Sequence, residues 1–182
     1  MNRLLAILSF VFFVSDFDDK SDQFIARQGQ ISFFSYTSVE NIEAKNNQVL
    51  SLLDISKKEI AVSMLMRAFV FKKDLMHEHF NESYIESDVY PKATFNGTIL
   101  DFDPSIKTAQ TRIVKGNLTI HGITLEKEIK TTIEYQNGKY IITGNFDVLV
   151  KNFQIKIPTI LASNIAKNIS ISFRFEYEDY EE

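Results

Sequence analysis

The stretch ITLEKEIKTTIEYQNGKYIITGNFDVLV, residues 123–150, shows most clearly how this chain folds. From Ile123 to Tyr135 apolar side chains recur at odd positions while Thr, Glu and Lys fill even ones, as in a strand that buries one face. The segment from Tyr140 to Val150 keeps an apolar face in the same way. Between the two stands Asn137-Gly138, the strongest short signal for a tight turn. The stretch therefore predicts a β-hairpin.

The same alternation continues outward in both directions along the chain. It predicts about eight strands with short connections, and hence an all-β domain whose eight antiparallel strands run up and down and close into a barrel. Such a barrel is just wide enough for packed side chains or for one small ligand, and the pattern favours neither interior, nor does it exclude an open sandwich. The further predicted strands begin at 31 and cover 42–55, 60–70, 92–102, 112–121 and 169–178, with helical turns at 73–83 and 160–167.

Composition narrows the class of function. Sixteen Phe and seven Tyr without Trp supply rings that fill a core or line an apolar cavity. A formal charge of −4 without a basic run argues against nucleic acid as a partner. The absence of Cys excludes disulfides, Cys-bound zinc, iron–sulfur clusters, thiol nucleophiles and the lipid-modified cysteine of a lipoprotein.

The N-terminus has the pattern of an export signal. Arg3 precedes the apolar run Leu4 to Val14, which is too short to span a bilayer. We expect residues 1–15 to be a signal peptide cleaved after Ser15, 16–23 to be a polar tether, and 24–182 to be one barrel domain. An uncleaved anchor and a buried first strand are the alternatives. With the signal removed, no stable membrane insertion is expected.

No residue pattern predicts catalysis or a cofactor. On a strand, His77 and His79 would share a face and could hold zinc with another ligand, but LMHEHFNES favours a helical turn, where residues two apart diverge. The better interpretation is a polar rim that closes one end of the barrel, with Phe80 and Leu75 packed below it. The candidate zinc ligands are His77, His79, His121 and Glu82.

Arg67 lies within the apolar segment MLMRAFVF, on the face opposite Met64 and Met66. A solvated, outward arginine is the simpler interpretation. The alternative is a charge near the barrel mouth that meets the head group of a ligand. The two methionines could adapt to a flexible alkyl chain, because thioethers fill irregular space.

Three patches of the sequence are distinctive in their order and spacing: LMHEHFNESYIESDVYPKATFNG (75–97), GNLTIHGIT (116–124) and FDVLVKNFQIKIP (146–158). Together they resemble the YceI-like family of bacterial periplasmic proteins, and the first has the form of its Bacteroidetes-type members. The resemblance extends from about Phe24 to Tyr177. The chain departs from it at Asn152-Phe153-Gln154-Ile155, where the family often has glycine in a tight turn.

The resemblance implies a lipocalin-like barrel in the periplasm of a Gram-negative bacterium, often dimeric, that binds a polyisoprenoid or a fatty-acyl molecule. The candidate roles are isoprenoid transport, storage or a stress response. The rivals are an enzyme acting on a lipid-like substrate through His77, His79 or Glu82, and a filled barrel that serves as a structural module. The apolar side of the alternation supplies the wall candidates: Phe33, Met64, Met66, Phe95, Leu118, Ile120, Phe146, Val148, Phe173 and Phe175.

Overall fold

The structure is a computed structural model that describes residues 22–158 and 164–180. The predicted signal peptide and most of the predicted tether lie outside these ranges, and Gln23, the last residue of that tether, is the first residue of a strand. Within the two described ranges, no helix has the length and apolar character that a membrane span requires.

Eight antiparallel strands close into a barrel, which confirms the predicted fold. Each strand pairs with the next around the circle, and the first pairs with both the second and the last. A ninth, two-residue strand, β4, pairs with β2 beside the closed circle. The strands are β1 (Gln23–Tyr36), β2 (Asn41–Asp54), β3 (Glu59–Leu65), β4 (Val70–Phe71), β5 (Lys92–Ile99), β6 (Gln110–Ile120), β7 (Ile123–Gln136), β8 (Lys139–Leu149) and β9 (Asn168–Asp179).

The β7–β8 hairpin forms as its sequence predicts. Asn137 and Gly138 both have positive φ, 53° and 82°, as a two-residue turn of type I′ requires. The turn between β6 and β7 has the same form, with φ of 51° at His121 and 73° at Gly122. These two turns lie at opposite ends of the barrel. We call the end with the β7–β8 turn the closed end and the other the mouth.

The predicted strand 60–70 ends earlier than expected. β3 stops at Leu65, and Met66–Ala68 form a 3-10 turn in which the Met66 N–H donates to the Pro91 carbonyl at 2.9 Å. The turn shifts the alternation by one residue. Met66 and Phe69 are therefore buried, whereas Ala68 between them is half-buried.

Two helical segments were expected, and one is described completely. The turn predicted at 73–83 is the short helix α1 (Asp74–His79), which continues as a π-helical turn at Phe80–Tyr84. For the turn predicted at 160–167, residues 160–163 lie outside the described ranges, and 164–167 form no regular helix.

The departure from the family pattern at Gln154 has a visible structural counterpart. A 3-10 turn covers Val150–Phe153, and Gln154 follows it with a φ of 55°. This left-handed conformation is the one that glycine adopts at little cost. The tight turn thus forms although a glutamine occupies the position.

Aromatic side chains fill the closed half of the barrel. The Tyr177 and Ser51 hydroxyls, both fully buried, are hydrogen-bonded across the interior at 2.6 Å. Burial raises the pKa of the Tyr177 phenol, which stays neutral. Nearer the closed end, Phe24 meets Tyr140 edge to face at 5.0 Å. This half therefore has a packed core.

Three phenylalanine rings lie against glycines of the barrel wall, at the boundary between the two halves. A glycine leaves the space of a side chain free on the inner face, and the ring occupies it. A Cβ atom would stand 2.6 Å from the Phe175 ring at Gly29, 2.6 Å from the Phe173 ring at Gly144, and 2.9 Å from the Phe95 ring at Gly97.

We expect Asp54→Asn to weaken the acid dependence of stability. The Lys57 N–H, at 2.9 Å, and the Ser56 hydroxyl, at 2.7 Å, donate to Asp54 and hold its pKa well below the usual 3.8. A depressed folded-state pKa means that this stabilisation is complete above pH 3.8 and is lost as the pH falls below it. When the pH is lowered from about 5 to about 2, the free energy of unfolding measured in urea should fall by about 1 kcal/mol more in the wild type than in the variant. Equal losses in both proteins would contradict this.

Candidate functional site

An apolar cavity of about 240 Å³ occupies the mouth half of the barrel. Its wall extends along β1 from Ile31 to Ser35, a rise of roughly 13 Å along the strand. On β9 it includes Ile169 and Ile171 but not the next inward residue, Phe173. The interior is thus hollow toward the mouth and filled toward the closed end.

Seven of the ten wall candidates line this cavity. Phe95, Phe173 and Phe175 do not, because their rings are turned against the wall glycines below it. Whether any of the ten touches a ligand stays a prediction. The seven are Phe33, Met64, Met66, Leu118, Ile120, Phe146 and Val148.

The sequence pattern predicted only part of a cluster of phenylalanines that lies on one side of the cavity. Phe33 stacks on Phe80 with centroids 5.6 Å apart, and Phe80 lies 5.1 Å from Phe71 and 5.6 Å from Phe69. Only Phe33 follows from strand alternation. Phe69 and Phe71 come after the 3-10 turn that shifts the pattern, and Phe80 belongs to a helical segment.

Residues 74–91, which we call the flap, cover one side of the mouth. The helical segment changes from α to π geometry at Phe80, and the Ile85 N–H donates to the Phe80 carbonyl at 2.9 Å. Such π turns are often found at functional sites. Burial raises the pKa of the Tyr84 phenol. Five flap residues face the cavity: Met76, His79, Phe80, Tyr84 and Ile85.

His121 fastens the flap to the barrel rim. Its Nε2 lies 2.9 Å from Oε2 of Glu86 in the flap, and its Nδ1 lies 3.1 Å from the Phe153 carbonyl oxygen. The Tyr90 ring packs on the imidazole with centroids 4.3 Å apart. The side chain is only 10% exposed. One residue of the β6–β7 turn thus holds together two segments that border the mouth.

Arg67 fastens the flap from the other side. Its guanidinium forms an ion pair with Asp88, and Nε donates to the Ser87 hydroxyl at 3.2 Å. The side chain is 62% exposed and does not line the cavity. This exposure agrees with the interpretation of Arg67 as a solvated arginine that points outward. Whether Arg67 meets the head group of a ligand stays a prediction.

The histidines predicted as zinc candidates do not come together. Nδ1 of His77 lies 2.9 Å from the Phe69 carbonyl, and Asn81 donates to His77 Nε2 at 3.2 Å, so both ring nitrogens serve local structure. Across 22–158 and 164–180, no three His, Cys, Asp or Glu side chains are grouped to hold a metal.

His79 faces the cavity, as a polar rim would. The predicted packing of Leu75 below that rim is wrong, since Leu75 is 60% exposed.

The second border of the mouth is the connection from β8 to β9, whose described parts, 150–158 and 164–167, we call the strap. Val150, Ile155, Ile157 and Ile165 of the strap face the cavity. The Ala166 N–H donates to the Ser35 hydroxyl at 2.9 Å, which ties the strap to β1. Flap and strap together border an almost wholly apolar chamber.

Residues 20–177 match the family model described as YceI-like domain. The chain belongs to the YceI-like family. No curated protein matches the sequence. The Bacteroidetes type and the homodimer stay predictions.

Solved structures share the barrel at low sequence identity. A polyisoprenoid-binding domain from Saccharophagus degradans, implicated in plant cell wall breakdown, has a TM-score of 0.75 at 12% identity and covers 88% of this chain and 100% of its own. BcnA of Burkholderia cenocepacia reaches 0.70 at 16%, covering 82% and 96%. The Campylobacter jejuni YCEI protein reaches 0.63 at 16%, covering 81% and 90%. At such identities the likeness establishes the fold alone.

We expect His121→Ala to loosen the flap. The change removes the polar contacts of the imidazole with Glu86 and the Phe153 carbonyl, and its packing on Tyr90, which should cost about 1–3 kcal/mol. Amide exchange in residues 80–91 should become faster, while exchange in β7 and β8 stays as in the wild type. As a control, Thr124→Ala, which removes an exposed hydroxyl contact at the start of β7, should leave flap exchange unchanged. Unaltered flap exchange in His121→Ala would show that the imidazole is not what holds it.

Proposed function

We propose that this YceI-like protein is an exported binding protein that shelters the end of a long apolar molecule in the mouth half of its barrel. The observation that supports this is the apolar cavity of about 240 Å³ bordered by the flap and the strap. Protein interiors are normally close-packed, and side chains around a void lose dispersion contacts. An apolar guest restores those dispersion contacts, and its own surface is removed from water at the same time.

The size of the cavity limits what it shelters. An apolar cavity of about 150 Å³ holds one benzene molecule, so by comparison this cavity holds about eight to ten carbon atoms. Burial contributes about 0.8 kcal/mol per methylene, or roughly 6 kcal/mol before the costs of association. A polyisoprenoid or long fatty-acyl chain is longer than this. Its remainder would extend through the mouth between flap and strap.

The ligand class is supported by chemistry and by one neighbour. The lining offers rings, branched aliphatic groups and thioethers, which suit a branched isoprenoid chain or a straight acyl chain. The Saccharophagus domain is named for binding polyisoprenoid. No covalent step is part of the proposal, since holding such a chain requires burial alone.

We expect Ala93→Phe to block the cavity. Ala93 is 1% exposed and lines the chamber, so a phenyl ring there takes the space of the guest. The affinity for a dansyl-labelled fatty acid, followed by fluorescence, should fall at least tenfold, because about three or more buried methylenes are displaced. Native mass spectrometry of protein purified without detergent should also show less co-purifying lipid. Competition by farnesol and by palmitate compares the two ligand types.

The matched control is Asn96→Phe, on the same strand but exposed. It should retain wild-type affinity. Far-UV circular dichroism and a melting curve establish that both variants fold. A folded Ala93→Phe protein that binds as tightly as Asn96→Phe would overturn the proposed site.

We expect the chain to be processed on export. Expressed with its own N-terminus in a Gram-negative host, the protein should be recovered from the periplasm, and N-terminal sequencing should begin near Asp16. The reason is the positive residue followed by an apolar run too short to span a bilayer. Recovery of only the full-length chain from the cytoplasm would contradict export without bearing on the cavity.

A further inference from the structure

We propose that the mouth end of the barrel docks on the surface of an anionic lipid bilayer through Lys151, Lys156 and Lys167 of the strap. The inference goes beyond the holding of a ligand and does not require that a ligand be bound. It rests on the charge of the strap, the lack of acidic partners, and the place of the strap beside the cavity.

The strap is basic in a chain that is acidic as a whole. Residues 149–168 include three lysines and neither Asp nor Glu, although the chain carries a formal charge of −4. The acidic residues lie on other elements, among them Glu176, Glu178 and Asp179 of β9 toward the closed end and Asp74, Glu78 and Glu82 of the flap. A basic segment of this kind attracts an anionic surface locally, although the chain as a whole is acidic.

The three lysines are free to act on a partner. All are exposed, and none forms an ion pair with an acidic residue of the described ranges. On the opposite border of the mouth, by contrast, Lys72 lies 3.4 Å from Glu43 and Lys73 lies 2.5 Å from Glu40. Those two charges are partly neutralised already, whereas no acidic side chain of the described ranges pairs with the strap lysines.

A backbone hydrogen bond places two of the three lysines on neighbouring segments. The Val150 N–H donates to the Lys167 carbonyl at 3.1 Å, so Lys151 and Lys167 belong to neighbouring segments. Lys156 lies between Ile155 and Ile157, which line the cavity, while its own side chain is exposed. The strap is therefore two-sided, with apolar side chains toward the chamber and ammonium groups toward solvent.

A bilayer is the occupant that fits both sides of the strap. It presents anionic head groups at its surface and apolar chains beneath them, and the lysines border an apolar chamber that opens at the same end. Leu149, next to the strap, is 40% exposed and adds an apolar contact. The flap carries the exposed acids Asp74, Glu78 and Glu82, so the docked protein would tilt its strap side toward the lipid.

The test is co-sedimentation of the full chain with vesicles. Vesicles of phosphatidylcholine alone are compared with vesicles of equal parts phosphatidylcholine and phosphatidylglycerol at low ionic strength. Each lysine near an anionic surface strengthens binding about fivefold, so changing all three to Gln should weaken binding to the anionic vesicles roughly a hundredfold. Wild-type binding should also fall steeply in high salt. The neutral vesicles measure any contribution of the apolar N-terminal segment.

The matched control changes Lys58, Lys107 and Lys139, three exposed lysines toward the closed end, to Gln. It has the same net charge as the strap variant and should bind nearly as the wild type does. Equal weakening of both variants would mean that net charge alone acts, and would overturn a docking surface at the strap. Failure of the wild type to prefer anionic vesicles would exclude the bilayer and leave an acidic protein as the occupant to seek. Neither result depends on the affinity of the cavity for an apolar guest.

Discussion

The width of an eight-stranded barrel is the constraint on which the rest of this structure depends. Closure leaves room for one layer of side chains pointing inward, so each level of the interior is either filled or hollow. Large rings on facing strands fill a level, and smaller or outward-turned residues leave it open. In this chain the transition occurs where Phe95, Phe173 and Phe175 lie against wall glycines. Below that level the barrel has a core, and above it there is a chamber.

Much of the fold could be predicted because the alternating pattern of a strand is local in the sequence. The alternation in β7, β8 and β9 and the Asn-Gly turn fix which side chains face inward without reference to distant parts of the chain. The β3 strand shows where this fails. The 3-10 turn at Met66–Ala68 depends on a hydrogen bond to Pro91, 25 positions further on, which no local pattern reveals.

The cavity could be predicted less well for a related reason. Alternation assigns a face but not a height, and the height of a ring in the barrel depends on its neighbours across the sheet. Phe173 has Gly144 directly opposite on β8, which lets the ring lie flat on the wall. The signal was present in the sequence as inward-facing glycines, yet its meaning requires the pairing register. The flap and strap residues have no strand pattern, so their contribution becomes visible only in three dimensions.

The Phe175 ring beneath the chamber packs edge to face on Tyr177, whose hydroxyl is hydrogen-bonded to that of Ser51. Separating those hydroxyls would strand two polar groups in a dry core, a loss that hydrocarbon contacts with a deeper guest could hardly offset. The floor of the chamber is thus fixed, while the flap and the strap at the mouth are held to the barrel by a few polar contacts. Under the proposed function, guests of different length would therefore differ in how far they displace the flap and the strap, because the other end of each guest meets the same floor.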